Sequence, residues 1–350
     1  MLALNNQALA REKSRQILFP LLVALSVVVL FASATIGGVS IDFSDVLALL
    51  VGNNTDNMES VILWEIRIPR LVLAFVVGAG LSVSGAAMQA IFRNPLADPG
   101  LIGVSSGAVL GAILVIVLGN TVLSGFVAQF GLYALPVGAF LGCALVCLFI
   151  YRLSSGQGTF SVISILLAGI AVNAIVASIT GFLTYISSDQ ELRDMTFWNM
   201  GSLSGNSWSL MTPSLIVIVI SSVAMLRLAT PLNLYLLGES QAKHLGISVT
   251  TLKKQVFMFT ALAVGASVAI CGMIGFVGFI VPHLLRMVIG PDHRFLMPGC
   301  IIFGGLLLSV ADLVARTIVL PSELPIGLVT SAIGGPFFLA VLLKSYKTLR

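Results

Sequence analysis

Apolar runs of about 20 residues recur along this whole chain, and they decide its solvent before any motif is read. A helix needs about 20 such residues to cross the hydrocarbon layer, whereas the strands of a closed barrel alternate over segments of about 10. The runs here are of helix length. Ten spans are expected, near residues 17–36, 71–91, 101–119, 134–151, 161–183, 209–226, 256–274, 278–290, 298–316 and 326–343. Composition agrees: 58% hydrophobic and 9% charged residues, with a mean hydropathy of +1.08, leave too little polar surface to coat a water-soluble globule of 350 residues. The expected fold class is an all-α polytopic membrane protein, with one transmembrane domain over 1–350. The eighth run is short and carries Pro282 and His283, so its helix is expected to be broken or sheltered by neighbours.

Ten spans place both termini on one side. Arg11, Lys13, Arg15, Arg93, Arg152, Arg227, Lys243, Lys253, Lys254, Arg286, Arg294, Lys344, Lys347 and Arg350 then share that side, against Arg67, Arg70, Arg193 and Arg316 opposite. The excess of basic residues marks the cytoplasmic side, so residues 1–16 form a cytoplasmic N-terminal segment and both termini of this multi-pass chain are expected to be cytoplasmic. The net charge of +4 and pI near 9.0 are spread over separate loops, which argues against a nucleic-acid partner. Residues 1–34 imitate a secretion signal, ending in Ala32-Ser33-Ala34, but the apolar run is membrane length and the topology balances with it retained. Cys143, Cys147, Cys271 and Cys300 all lie in apolar runs and read as packing residues, with neither a metal site nor a disulfide framework.

Polar islands between the runs carry the functional signal. The segment 37–66 is acidic and should leave the membrane on the outer side, with a short amphipathic helix around 43–50. A second outer loop, 184–208, holds Phe197, Trp198 and Trp208, residues suited to anchoring at the lipid interface. Arg67 and Arg70 stand just before one outer span end and Arg316 at another, three cations among acidic loops. They suit an acidic partner, or serve as snorkelling anchors, and Asp312 lies one helical turn from Arg316. In Asn94-Pro95-Leu96 the proline stops a helix, so the freed backbone needs protein or a water-filled cavity beside it. Gln89, Ser105, Ser106, Asn173, Thr180 and Thr184 are polar groups in apolar surroundings, fit to line a path or to hydrogen-bond between helices. Pro282-His283 with Arg286 raises haem or metal ligation, with a structural or gating role as the preferred reading. Gly100-Leu101-Ile102-Gly103-Val104 echoes Gly272-Met273-Ile274-Gly275-Phe276, consistent with two related halves. Residues 227–255 should form a cytoplasmic loop with two short helices broken near Gly246.

Absences narrow the function. The sequence has no G-x-x-x-x-G-K-[ST] phosphate loop and no Gly-Lys dipeptide, so any ATP hydrolysis belongs to another polypeptide. An ion-coupled secondary transporter usually needs buried carboxylates, and Asp312 is nearly alone in the spans. An intramembrane enzyme would need a metal-spaced cluster or an activated nucleophile, and neither pattern is present.

The islands together resemble the FecCD/BtuC-like family, the permease subunits of ABC importers for iron chelates and cobalamin. The resemblance runs over roughly 60–343, through Arg67-Ile-Pro-Arg70, Gly78-Ala-Gly-Leu-Ser-Val-Ser-Gly85, Met88-Gln89, Asn94-Pro-Leu-Ala-Asp-Pro99, Gly103-Val-Ser-Ser-Gly-Ala108, Gly275-Phe-Val-Gly278, Pro282-His283, Asp292-His-Arg294, Glu323-Leu-Pro-Ile-Gly327 and Gly334-Gly-Pro-Phe-Phe338. It implies a type II importer permease of ten helices. It also implies that Arg67, Arg70 and Arg316 receive acidic residues from the two lobes of a periplasmic binding protein. Gly238, Glu239, Ala242, His244, Leu245 and Gly246 would belong to coupling helices seated on the ATPase, with Ala242 and Gly246 permitting close approach. Asn94, Pro95 and Leu96, together with Ser155, Gly156 and Gly158, would form a cytoplasmic gate. The implied partners are two copies of an ATPase carrying ATP and Mg, the binding protein, membrane lipid and a second, identical permease; this chain itself would bind no cofactor. Residues 192–203 look most like haem-importing members, which places haem ahead of a ferric siderophore and cobalamin as cargo.

Overall fold

The structure, a computed structural model, describes residues 2–39, 41–51, 58–156 and 159–348. Their α-helices are α1 (Leu2–Thr35), α2 (Phe43–Leu50), α3 (Met58–Val61), α4 (Ile68–Phe92), α5 (Val104–Leu118), α6 (Ser124–Phe130), α7 (Ala134–Ser154), α8 (Val162–Ile186), α9 (Asp189–Met200), α10 (Trp208–Leu226), α11 (Ala229–Leu236), α12 (Glu239–His244), α13 (Val249–Cys271), α14 (Val277–Ile289), α15 (His293–Ala315) and α16 (Ile326–Thr348). A two-residue antiparallel ladder pairs Ser155–Gly156 with Thr159–Phe160 between α7 and α8. Apart from this ladder, the described residues form an all-α bundle.

Among the described residues seven continuous helical segments are long and apolar enough to cross a membrane, and the shorter apolar helices Val104–Leu118, Val277–Ile289 and Ile326–Val341 occupy the other three expected runs. The amphipathic helix expected around 43–50 is α2. Helix α1 starts well before its apolar run. Arg15 on this extension donates to the carbonyl of Ile289 at 3.1 and 3.0 Å and stacks on the Phe295 ring at 3.9 Å, capping the C-terminus of α14. Before α4, α3 and a π-helical turn over Ile62–Arg67 continue the same helix outward, giving a segment of 35 residues. The loop at 184–208 is also partly helical. Ser188 and Glu191 form a capping box at the start of α9, each side chain satisfying a backbone N–H of the other. Phe197 on α9 is exposed, whereas Trp208 donates to the Trp64 carbonyl at 2.9 Å.

Helix α4 is the centre of the bundle. Of its most apolar window 83% is buried within the chain, against 22% for α1 and for α8, so α4 faces protein and those two face outward. Its small residues explain the position: a Cβ on Gly85 would strike the carbonyl of Gly278 in α14, and a Cβ on Gly78 the carbonyl of Gly304 in α15. Backbone therefore meets backbone, the close approach that small residues allow between membrane helices. Helix α14 is continuous through Pro282. The N–H that proline lacks would have bonded Gly278, and it is this freed carbonyl that lies against Gly85. Ser82 adds a hydrogen bond to the Cys300 carbonyl at 2.6 Å. All four cysteines are buried and free, as packing residues are.

Candidate functional site

A cavity of about 560 Å³ opens where the chain breaks between α4 and α5 and again between α13 and α14. Each break has a local cause. Asp98 accepts a hydrogen bond from the Gly100 amide at 2.7 Å, and Gly103 turns the chain into α5 at φ +79°. On the other side Phe276 takes φ +68°, an uncommon conformation for a bulky residue, just before α14. The two echoing segments thus both precede a short helix, and Gly100 and Met273–Phe276 line the same cavity. The second follows directly on the end of α13, in the link to α14.

Ser105, Ser106, Asn173 and Thr180 line this cavity among mainly apolar neighbours, with Ser106 donating to Asn173 Oδ1 at 2.6 Å. Gln89 and Thr184 do not line it. Thr184 bonds back to the Thr180 carbonyl in its own helix at 2.7 Å, and Gln89 accepts from Arg286 at 2.5 Å nearer the end of α4. His283 stacks with Phe279 at 6.0 Å and meets Phe337 edge-on at 5.8 Å, so it packs in an aromatic cluster. Among the described residues no group of three or more His, Cys, Asp or Glu could hold a metal ion.

At the end of the bundle expected to face the cytoplasm, α4 stops at Arg93, which adopts a left-handed conformation at φ +50°. Asn94 Oδ1 then accepts from the Leu96 amide at 2.9 Å and fixes the turn. Arg93 reaches across to α11: it donates to the Tyr235 carbonyl at 2.7 Å and stands 4.6 Å above the Tyr235 ring. The Tyr235 hydroxyl lies 3.2 Å from the Ile91 carbonyl and 3.1 Å from Glu239 Oε1, and Glu239 opens α12 while pairing with Lys253 of α13 at 2.8 Å. Burial and the nearby Glu239 charge push the Tyr235 phenol up to about 12, so it remains a donor. Burial also pulls the Glu239 carboxyl upward, but the hydrogen bond and charge of Lys253 and the Tyr235 hydroxyl outweigh it, leaving Glu239 below the ordinary carboxylate range.

The break between the two short helices falls at Gly238, at φ +131°, while Gly246, at φ +84°, ends the second, so the expected break near Gly246 is moved. Gly238 is required where it is, because this backbone conformation excludes side chains. Lys243, His244, Leu245 and Gly246 are exposed, whereas Ala242 is fully buried and faces its own chain. Of the second gate segment, Ser155 and Gly156 lie in the small ladder and Gly158 lies outside the described residues. Sequence reading had used Arg93 and Lys253 only to orient the chain and had not singled out Tyr235. A tyrosine four residues before a glutamate on adjoining short helices was the available signal.

At the opposite end Arg67, Arg70 and Arg316 are only 4%, 8% and 6% exposed. Arg70 is the hub: its guanidinium pairs with Asp312 at 2.8 Å and with Glu323 at 2.8 Å. Arg316 donates to the Ser33 carbonyl at 2.6 Å and lies 3.9 Å from Asp312, the one-turn neighbour noted in the sequence. Arg67 donates to the carbonyls of Ala34, Thr35 and Val39, holding the end of α1. All three side chains are engaged within the chain, and Glu323, at 42% side-chain exposure, is the open member of the cluster.

Residues 24–344 match the FecCD transport family. The chain belongs to that family. Among FecCD relatives, it is 44% identical over 325 residues to the hemin transport system permease protein HmuU of Yersinia pestis, spanning 92% of this chain and 94% of the relative. It is 40% identical over 282 residues to the cobalamin import system permease protein BtuC of Halobacterium salinarum, spanning 81% and 73%. The fold is similar to a solved metal-chelate type ABC transporter in an inward-facing conformation, with a TM-score of 0.80 and 31% identity over 94% of this chain and 99% of that one. These matches agree with the resemblance read from the polar islands. The FecCD chain is thus a transmembrane transport component, and the enzyme and secondary-transporter readings fall away.

Proposed function

We propose that this chain is the membrane subunit of a binding-protein-dependent ABC importer that carries haem into the cytoplasm. The observation that carries the cargo reading is the 44% identity to a hemin permease across nearly the full length of both chains. Cobalamin is the second reading, supported by the 40% identity to a cobalamin permease. The cavity at the two helix breaks, apolar with a few hydroxyl and amide groups, suits a large flat ligand held weakly. All ten apolar helices cross the bilayer in this reading, both termini are cytoplasmic, and two identical copies share the path.

ATP and Mg are held by two copies of a separate ATPase, which contacts the exposed face of α12 from Lys243 to Gly246. Movement of α12 reaches the gate turn at Asn94–Leu96 through Glu239, Tyr235 and Arg93. Ser155, Gly156 and Gly158 complete the gate. On the outer face a loaded periplasmic protein docks near Glu323, and its acidic residues compete with Glu323 for Arg70, with Arg67 and Arg316 adding to the positive potential. Proteoliposomes holding this permease with its ATPase and binding protein test the reading, offered haem, a ferric siderophore and cobalamin in parallel. ATP-dependent haem uptake is expected. Uptake of cobalamin alone selects the second reading, and transport that persists without ATP overturns both.

A further inference from the structure

A second cavity, about 330 Å³, lies beside the gate turn and is lined by Gln89, Arg93, Asn94, Arg286 and His293. No carboxylate lines it, and among the described residues neither Arg93 nor Arg286 has an acidic group within ion-pair distance. The acids closest by are already held: Glu239 by Lys253 at 2.8 Å, and Asp292 by Arg294 at 2.7 Å with a further bond from Asn233 at 2.7 Å. Arg286 therefore faces a half-enclosed space without an acidic partner, beside the exposed Arg93, which rests on Tyr235 and feels only the already paired Glu239.

Arg286 is not simply reaching for water. It sits in the last turn of α14 and turns back to Gln89 Oε1 on α4 at 2.5 Å. That bond leaves the other end of the same amide, Gln89 Nε2, buried with no partner, although Gln89 is only 3% exposed. His293, also at the cavity wall, is held by Asn233 at 2.9 Å from its Nδ1 and by the Ala86 backbone. A buried donor left unsatisfied is costly, and the part-buried Arg286 without an anion adds to that cost. One oxyanion in the cavity answers both: it accepts from Arg286 and from Gln89 Nε2, with Arg93 at the cavity mouth adding N–H donors that Tyr235 leaves free.

We propose that this cavity is a binding site for a phosphate group, which bridges the end of α4 to α14 and α15 next to the gate turn. The phosphate comes either from the headgroup of an anionic lipid or from free phosphate; basic pockets between helices at the cytoplasmic membrane surface suit the first, and a cavity open to the cytoplasm suits the second. The site is independent of which chelate the permease carries.

The test uses the full chain in nanodiscs. One arm titrates inorganic phosphate calorimetrically into phosphatidylcholine discs, with chloride as control; the other measures by native mass spectrometry the phosphatidylglycerol retained in mixed discs. Saturable binding near one per chain is expected in one arm, and that arm names the source. Arg286→Gln and, separately, Arg93→Gln should each weaken it roughly tenfold, and Gln89→Leu severalfold. Two arginine variants are used so that a loss of folding in one, seen by gel filtration, leaves the other to decide. Binding that is absent in both arms, or unchanged in the folded variants, overturns the proposal.

Discussion

Arg70 of α4 and Asp312 of α15, 242 positions apart in the sequence, form a buried ion pair at 2.8 Å. Asp312 is 1% exposed and also answers Arg316, so one carboxylate serves two arginines. Replacing it with Asn leaves two buried cations, with only the part-exposed Glu323 to share between them. Breaking a buried pair from one side typically costs about 3–5 kcal/mol. Asp312→Asn is therefore expected to lower stability by about 3 kcal/mol in thermal unfolding of the detergent-solubilised chain. The matched change Arg70→Met with Asp312→Leu should recover part of that loss.

Tyr235 links the coupling helices to the gate by its hydroxyl and its ring at once. Tyr235→Phe keeps the ring under Arg93 and removes the bond to Glu239. The variant is expected to fold and assemble with the ATPase normally, since a single hydrogen bond contributes about 1 kcal/mol. Its uptake per ATP hydrolysed should fall severalfold in proteoliposomes. Equal uptake per ATP would remove Tyr235 from the coupling route.

The same cluster sets a pH response. Because Glu239 titrates below the ordinary glutamate value of about 4.3, its contribution to stability is complete above that value. It is lost as pH falls through the lower, folded value. Tyr235, raised to about 12, contributes fully below its ordinary value of about 10 and loses that contribution as pH climbs between the two. Thermal unfolding followed from pH 7 to pH 3 should show wild type and Glu239→Gln differing at pH 7 and converging at the acid end.

Much of the architecture was legible because lipid leaves few choices. The apolar runs located the helices, and the amphipathic pattern at 43–50 within the acidic stretch announced α2. Motif order identified the family through islands such as Asn94-Pro-Leu-Ala-Asp-Pro99. Partnership between distant residues was not legible. Nothing local in Arg70 tells that it is buried against Asp312 and Glu323, and its outer-loop position suggested exposure. The resemblance placed Ala242 at the ATPase contact as a small residue permitting close approach; its burial follows from how α12 folds back onto the bundle. The break at Gly238 was missed since Gly238 and Gly246 carry equal signal in sequence, and only the φ of each, with the helix bounds, separates their roles.

The cavity at the helix breaks gives the most direct test of the path. Ala177 of α8 lines it, facing Ser105, Ser106 and the Met273–Phe276 link from the other side. Ala177→Trp would place an aromatic ring in the 560 Å³ cavity while leaving the glycine contacts of α4 untouched. Because the ring enters open space, the usual overpacking cost of about 1–3 kcal/mol should be largely avoided. Uptake is expected to drop at least tenfold, with ATPase assembly and thermal stability close to wild type. Ala177→Ser, which keeps the volume nearly constant, should transport normally. If the Trp variant also transports at the wild-type rate, the cargo passes elsewhere, and the cavity is a packing defect at the two breaks instead of a path.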